Sequence, residues 1–311
     1  MMNLDGHKIA RSPTVSESFV TRRTLLSALA LPWLAGCSTP LPLVAAPPAH
    51  AEAARALRES AEAHGLSAYR ELDDINVSYA GQWRPLIGRI QPEVTDTGFR
   101  GSSQERLMPK TGVSGQAYAG AQGRKQVWWK HRNAASDAPG EVAVWFNGVR
   151  SADPAAQQAA ALVAEGYGLF VLGPLWIVDR DLPMKLAGTE RVDGRPCDVV
   201  EVWMKPGLGR SSLDRIAIYV DRSERITRRI RFTLEGFVNT QGAVAEVDLF
   251  DHEQRFGVMW PMRSFERVIH PVALPAHDWR LTGLDVNRGY SEQELLGPEF
   301  TGGAAAPARS L

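Results

Sequence analysis

Three consecutive segments of this chain alternate apolar and polar side chains with a period of two. In "CDVVEVWM" (197–204), Val200, Val202 and Met204 fall on one face. In "RIAIYV" (215–220) the set is Ile216, Ile218 and Val220. In "ITRRIRFTL" (226–234), Ile226, Ile230, Phe232 and Leu234 lie opposite Thr227, Arg229, Arg231 and Thr233. Such alternation specifies antiparallel strands with one face buried and one face wet. "AVAEVDLF", "GVMWPMRSFERVI" and "HDWRLTGLDV" continue it, and Pro261 marks an edge or a bulge.

An earlier block, 75–148, reads as six short strands separated by Gly, Pro, Asp and Asn: "INVSYAG", "RPLIGRI", "FRGSSQERLM", "GQAYAG", "RKQVWWKH" and "EVAVWFNG". Between the two blocks the period changes. Asp153 and Pro154 supply an N-cap and a first-turn proline for "AAQQAAALVAEGYGLFVLGP", whose only charge is Glu165. A helix this apolar, taken as Ala155 to Gly168, must be buried on most sides. About a dozen strands, each with an apolar face, then bury that face by curling around it. The expected fold class is α+β: a strongly curved antiparallel sheet, an open and unclosed β-barrel, with helices packed in or over the concave face.

The amino end reads differently. Arg22 and Arg23 introduce an apolar run from Thr24 to Ala35 that is too short to span a bilayer. "LAGC" (34–37) closes it in the form of a bacterial lipobox, which places residues 1–36 as a lipoprotein signal peptide and Cys37 as the acylated residue. Two or three acyl chains, at about 0.8 kcal/mol per buried methylene, anchor a protein stably. Ser38, where an aspartate would favour the inner membrane, points to the periplasmic face of the outer membrane. The arginine pair also fits twin-arginine export. Residues 37–49 read as a Pro- and Ala-rich tether, 50–295 as one folded domain with a first helix from Ala51 to His64, and 296–311 as a disordered tail.

Of 311 residues, 44% are hydrophobic and 23% charged, and the net charge is zero, which argues against nucleic acid as a partner. Losing residues 1–36 removes four basic and two acidic side chains and leaves the mature chain at −2. With Cys37 acylated, Cys197 is alone and no internal disulfide can form. Its place in an apolar strand marks it as a small core residue.

The order of helix, strand block, buried helix and long meander resembles the lipoprotein-localisation proteins, the LolA/LolB family. The resemblance is carried by "GTERVDGRPCDVVEV" (188–202), "DRIAIYVDRSERITRRIRF" (214–232) and "AEVDLFDH" (245–252), and extends over roughly residues 50–290. It implies a LolA-like half-barrel that binds acyl chains or lipids and carries no cofactor. The anchor at Cys37 is a feature of the family's receptor rather than of its soluble carrier.

Candidate ligand-cavity residues are Leu162 on the central helix and Val202, Met204, Ile216, Ile218, Ile230 and Phe232 on the meander. Leu208, between two glycines in "KPGLGRSS", is a candidate for an exposed loop that probes a membrane or an acylated client. The alternative is that it folds back on the sheet. The arginines at 228, 229 and 231 suit a solvated strand face with cross-strand acidic partners; the alternative is that they face lipid headgroups or a partner. The eight tryptophans of the mature chain either line a cavity or pack a core. No catalytic or metal-binding residues emerge. The seven histidines are scattered, and no nucleophile elbow, P-loop or dinucleotide motif stands in its required context. The expected protein is a non-enzymatic, membrane-anchored periplasmic lipoprotein binding a lipid, an acyl chain or an acylated protein. A scaffold lipoprotein with a periplasmic protein partner, and a hydrolase, are the alternatives.

Overall fold

Residues 40–48, 50–131 and 140–302 are described in a computed structural model. The strands are β1 (Ile75–Trp83), β2 (Ser102–Met108), β3 (Val113–Gly120), β4 (Gly123–Lys130), β5 (Glu141–Phe146) and β6 (Val149–Arg150), then β7 (Met184–Val192), β8 (Arg195–Met204), β9 (Asp214–Asp221), β10 (Thr227–Thr233), β11 (Val244–Arg255), β12 (Val258–His270) and β13 (Leu274–Val286). They form one antiparallel sheet in the order β6-β5-β4-β3-β2-β1-β13-β12-β11-β10-β9-β8-β7. The first strand pairs with the last, Val77 opposite Leu284, so both ends of the domain lie mid-sheet and β6 and β7 are its open edges. The sheet is unclosed, as expected of an open half-barrel.

This topology leaves the chain at one edge after β6 and requires it at the other for β7. The connection is helix α5 (Pro154–Leu172), which crosses the inward face and spans about 28 Å. For continuity, α1 is Ala51–Ala63, α2 Leu66–Arg70, α3 Pro85–Ile90, α4 Pro92–Thr95, α6 Pro174–Ile177 and α7 Glu292–Leu295. Asp153 caps α5, accepting from the amides of Ala155 at 3.0 Å and Ala156 at 3.3 Å. The helix runs four residues beyond the expected stop at Gly168, because the true break is Gly173, at positive φ, followed by Pro174.

The predicted apolar faces of β8 and β9 turn inward, as do Ile230 and Phe232 of β10, but a bulge between Thr227 and Arg229 reverses the start of β10: Thr227, expected outside, is buried with its hydroxyl 3.3 Å from that of Ser60 on α1. Val200, Val202, Met204, Ile216, Ile218, Ile230 and Phe232 join Leu162, Leu169 and Phe170 of α5 in one core, with Ala53 and Leu57 of α1. The outward arginines pair across strands as expected: Arg229 with Asp248 at 2.5 Å, Arg231 with Glu246 at 2.9 Å and Arg267 with Asp248 at 2.7 Å. Cys197 is buried in a smaller outer cluster with Tyr219 and Leu41.

Three expectations are corrected. "RPLIGRI" is not a strand but α3, where Pro85 occupies a first helical turn and Ile87 turns inward. The supposed tether packs from Leu41 onward: Leu41 is buried on the outer face of β8–β9, and Trp203 Nε1 donates to the Val44 carbonyl at 2.8 Å. The supposed tail still folds past 295, because Leu295 and Phe300 are buried against Val113 and Trp128 on the outer face of β3–β4. Residues 1–39, with Cys37 and the signal peptide, and 303–311 lie outside the described residues.

Helix α1 is clamped by its C-cap. Gly65 follows at φ 87°, and a Cβ there would lie 2.1 Å from the Gly257 carbonyl oxygen, so only glycine fits. His64 Nε2 accepts the Thr227 amide at 3.0 Å, which makes Nδ1 the protonated nitrogen that donates to the Met259 carbonyl at 3.1 Å. Burial holds its pKa down at about 4, and that of neighbouring His252 likewise. A base with a lowered folded-state pKa binds fewer protons than the unfolded chain, so its contribution is lost as pH falls from 6.5 toward 4. Chemical denaturation should show that decline in the wild type. His64→Ala should lose about 1–3 kcal/mol at pH 7, the cost of an orphaned buried amide, and its stability should depend less on pH between 6.5 and 4.

Candidate lipid-binding cavity

On one flank of α5 the inward face is not filled. A cavity of about 410 Å³ lies between α5 and strands β10–β13, within the range of ~300–1,000 Å³ typical of small-molecule sites. Leu162, Val163, Gly166, Tyr167 and Phe170 form the helical wall; Phe232, Leu234, Val268 and Ala276 form the sheet wall. Around the mouth stand Ile87, Ile90 and Val94 of α3 and α4, the 239–241 turn and Val272 in the β12–β13 hairpin. Ile90, Val272 and the neighbouring Val238 are 51%, 60% and 61% exposed, so the rim itself is greasy.

The glycines of α5 keep this space open. A Cβ at Gly166 would meet only the Phe170 ring, at 3.8 Å, and one at Gly168 would meet nothing within 4 Å. Packing therefore does not demand glycine at either place, although each costs about 1 kcal/mol against alanine in a helix interior. Gly166 faces the apolar cavity, and Gly168 faces a second, more polar one of about 360 Å³. That second cavity is lined by Trp129, Glu165 and Trp176, with Arg180 stacked 3.7 Å above the Trp176 ring.

Of the predicted cavity residues, Leu162 and Phe232 line the apolar cavity. Val202, Met204, Ile216, Ile218 and Ile230 do not; they are 0% exposed, because α1 and α6 fill that end of the trough. Leu208 is not an exposed probe. It is 0% exposed and forms part of the cavity wall. Its loop folds back because the Leu208 amide donates to Asp214 Oδ2 at 2.8 Å and the Gly209 amide donates to Glu165 of α5. Gly209, at φ 58°, sits so close to α5 that a Cβ would fall 2.7 Å from the Leu162 nitrogen.

The sequence reading missed the polar residues of this interior. Arg100 holds Asp96 at 2.6 Å, donates to the Tyr167 hydroxyl and lies 4.5 Å above the Tyr118 ring, while Lys125 pairs with the same Asp96. Tyr79 and Gln116 both donate to Glu105, at 2.6 and 2.7 Å. His277 stacks on Trp83 with centroids 4.2 Å apart. Glu266, between Val247 and His277 in the sheet, is 8% exposed and lines the cavity. One signal was available: period two places Glu266 with Met262, Ser264 and Val268, not with Arg263 and Arg267. Of the tryptophans, Trp83 lines the apolar cavity, Trp129 and Trp176 line the polar one, and Trp260 and Trp279 are core. Among the described residues no group of three His, Cys, Asp or Glu is placed to hold a metal, and no helix is long and apolar enough to cross a membrane.

No protein-family profile matches the chain, and no curated protein matches it in sequence. Solved structures resemble it in fold. A DUF1329 family protein from Desulfovibrio piger is 14% identical, covering 78% of this chain and 96% of its own, with a TM-score of 0.49. A LolA superfamily protein from Nitrosomonas europaea is 13% identical over 78% and 97%, with a TM-score of 0.41. An outer-membrane lipoprotein-sorting protein domain from Vibrio parahaemolyticus is 10% identical over 76% and 97%, with a TM-score of 0.33. The fold is LolA-like. At these identities the likeness is one of architecture alone, so the chemistry rests on the residues described above.

Burial raises the Glu266 pKa from 4.5 to about 7, against a partial lowering by Arg100. An acid with a raised folded-state pKa binds more protons folded than unfolded, so it weakens the fold progressively as pH rises from about 4.5 to 7. Glu266→Gln cannot ionise. Its stability advantage over the wild type should widen across that interval, by up to about 1.4 kcal/mol per pH unit, and level off above pH 7. Urea unfolding at pH 5, 6, 7 and 8 measures the gap.

Proposed function

We propose that this protein is a bacterial envelope lipoprotein that binds a lipid or another single hydrophobic molecule in the cavity beside α5. One observation carries the reading: an apolar chamber of about 410 Å³, in which a helix keeps a glycine where alanine would fit. A scaffold role alone would need no such space, since a filled core is the more stable solution. The exposed aliphatics at the mouth suit transfer of a greasy ligand from a membrane or an acylated client, as isolated surface leucines and valines elsewhere would not. The lipobox adds the location, the periplasmic face of the outer membrane, held by acyl chains on Cys37.

Gly166→Leu should fill the apolar cavity without weakening the helix, and Gly168→Leu should fill only the polar one. Native mass spectrometry of protein purified from cells should find bound lipid in the wild type and in Gly168→Leu, and at least tenfold less in Gly166→Leu. Equal loading of all three, or none in the wild type, contradicts the cavity reading. Palmitate labelling of cells should mark the wild type and not Cys37→Ser; unlabelled wild type would remove the anchor.

A further inference from the structure

Among the described residues, Glu266 is the one charged side chain in the cavity lining. Its carboxyl makes no hydrogen bond or ion pair with any described residue, although its neighbours in the interior are densely bonded. Glu105 has Tyr79 and Gln116, and Asp96 has Arg100 and Lys125. A buried carboxyl without a partner is costly, and a hydrophobic residue of similar size would stabilise the fold. On the same cavity lining, Gln91 donates its amide to the Asn239 carbonyl at 2.9 Å and leaves its Oε1 buried and unpaired. The leftover groups on this lining are thus two acceptors, Glu266 and Gln91 Oε1, and one indole donor, Trp83 Nε1; the carboxyl is the only one of the three that can carry charge.

We infer that Glu266 selects the ligand of this cavity: a hydrocarbon chain bearing a hydrogen-bond donor, a hydroxyl or an ammonium, that reaches inward to its carboxyl. The inference rests on the proposed function and narrows it. A donor suits both protonation states of Glu266, since the neutral acid keeps its carbonyl oxygen as an acceptor. An ester or amide carbonyl would require the protonated form, and a free fatty acid would set carboxylate against carboxylate. Arg100 does not substitute as the ligand's anchor, because its guanidinium is already held by Asp96 and Tyr167. The cavity also sets a length. With a methylene of the same order as the ~30 Å³ of a liquid water, 410 Å³ takes about a dozen carbons.

Hydroxyl and ammonium ligands differ in their response to pH. The groups facing Glu266 are Arg100 from the turn before β2, Tyr167 from α5 and His277 from β13. Burial keeps His277 neutral far below its usual pKa and pushes Tyr167 up, so neither changes charge near pH 7. Of the groups facing the cavity, only Glu266 ionises in that range; Glu105 and Asp214, also raised to about 7 by burial, lie behind the wall, bonded to Tyr79 and to the Leu208 amide, and remain in Glu266→Gln as an internal control. Ammonium binding should therefore strengthen from pH 6 to pH 8, and hydroxyl binding should not.

The test uses the delipidated domain and four twelve-carbon probes below their aggregation limits: dodecanol, dodecylammonium, dodecanoate and dodecane. Quenching of Trp83 fluorescence or isothermal titration gives each Kd, for the wild type, Glu266→Gln and Glu266→Leu. We expect dodecanol or dodecylammonium to bind the wild type about tenfold or more tightly than dodecanoate and dodecane. Glu266→Leu should abolish that preference while dodecane binds as well or better. Glu266→Gln, which keeps an acceptor but no charge, should retain the preference for dodecanol and lose that for dodecylammonium. Equal binding of all four to the wild type, with Gly166→Leu abolishing it, overturns the role of Glu266 and leaves the cavity reading standing. Binding of none overturns both.

Discussion

The burial of α5 in the trough of the sheet is the contact on which the remainder of the structure depends. Fourteen of its nineteen residues are buried, from Ala156 to Leu172. A helix so apolar on all sides has no stable existence in water and needs walls around it. The strands need it equally, since their inward faces of Val, Ile and Phe have no opposing sheet. Because the first and last strands pair mid-sheet, the two edges are separated by the full width of the trough, and only a crossing element can join them. The topological demand and the hydrophobic demand are met by the same nineteen residues.

Polar groups fix where that helix lies. Glu165 accepts the Gly209 amide on one side, and Tyr167 meets Arg100 on the other, so the helix is pinned across the trough between the two strand blocks. The charged members of these braces have partners: Arg100 is paired with Asp96, and Glu165 with the Gly209 amide. Glu266 breaks that pattern. In an interior where Asp96, Glu105 and Asp214 are each satisfied, a carboxyl that faces a cavity without a partner among the described residues is the feature that stability does not explain.

Much of the fold was legible because strand alternation is a local property. The faces of β8, of β9 and of β10 from Arg229 onward were read residue by residue, as were the cap at Asp153 and the pairing of arginines with acidic partners; the bulge at Thr227, set by α1, was not. Errors arose where local pattern is ambiguous. "RPLIGRI" carries three branched aliphatics and two arginines at spacings that suit either a short strand or one helical turn, and the proline decides for the helix. Leu208 between two glycines looks exposed only until Asp214, six residues on, and Glu165, 44 residues before Gly209, capture the backbone around it. The stretches at 41–48 and 296–302 look like linker and tail by composition, yet Leu41 and Phe300 find apolar hollows on the outer face of the sheet.

The sequence by itself determined the class of architecture, the two strand blocks, the buried helix between them and the inward residues of the meander, because periodicity and capping act over a few neighbouring positions. It could not decide which inward residues would be covered and which would face a void. Val202 and Phe232 have the same pattern, but the first is packed within the core under α1, whereas the second, beside Phe170, also borders the cavity. That distinction depends on how helices separated by a hundred residues share one trough, and on the absence of a side chain at Gly166. Only the packed chain could show where the space is and that Glu266 opens onto it.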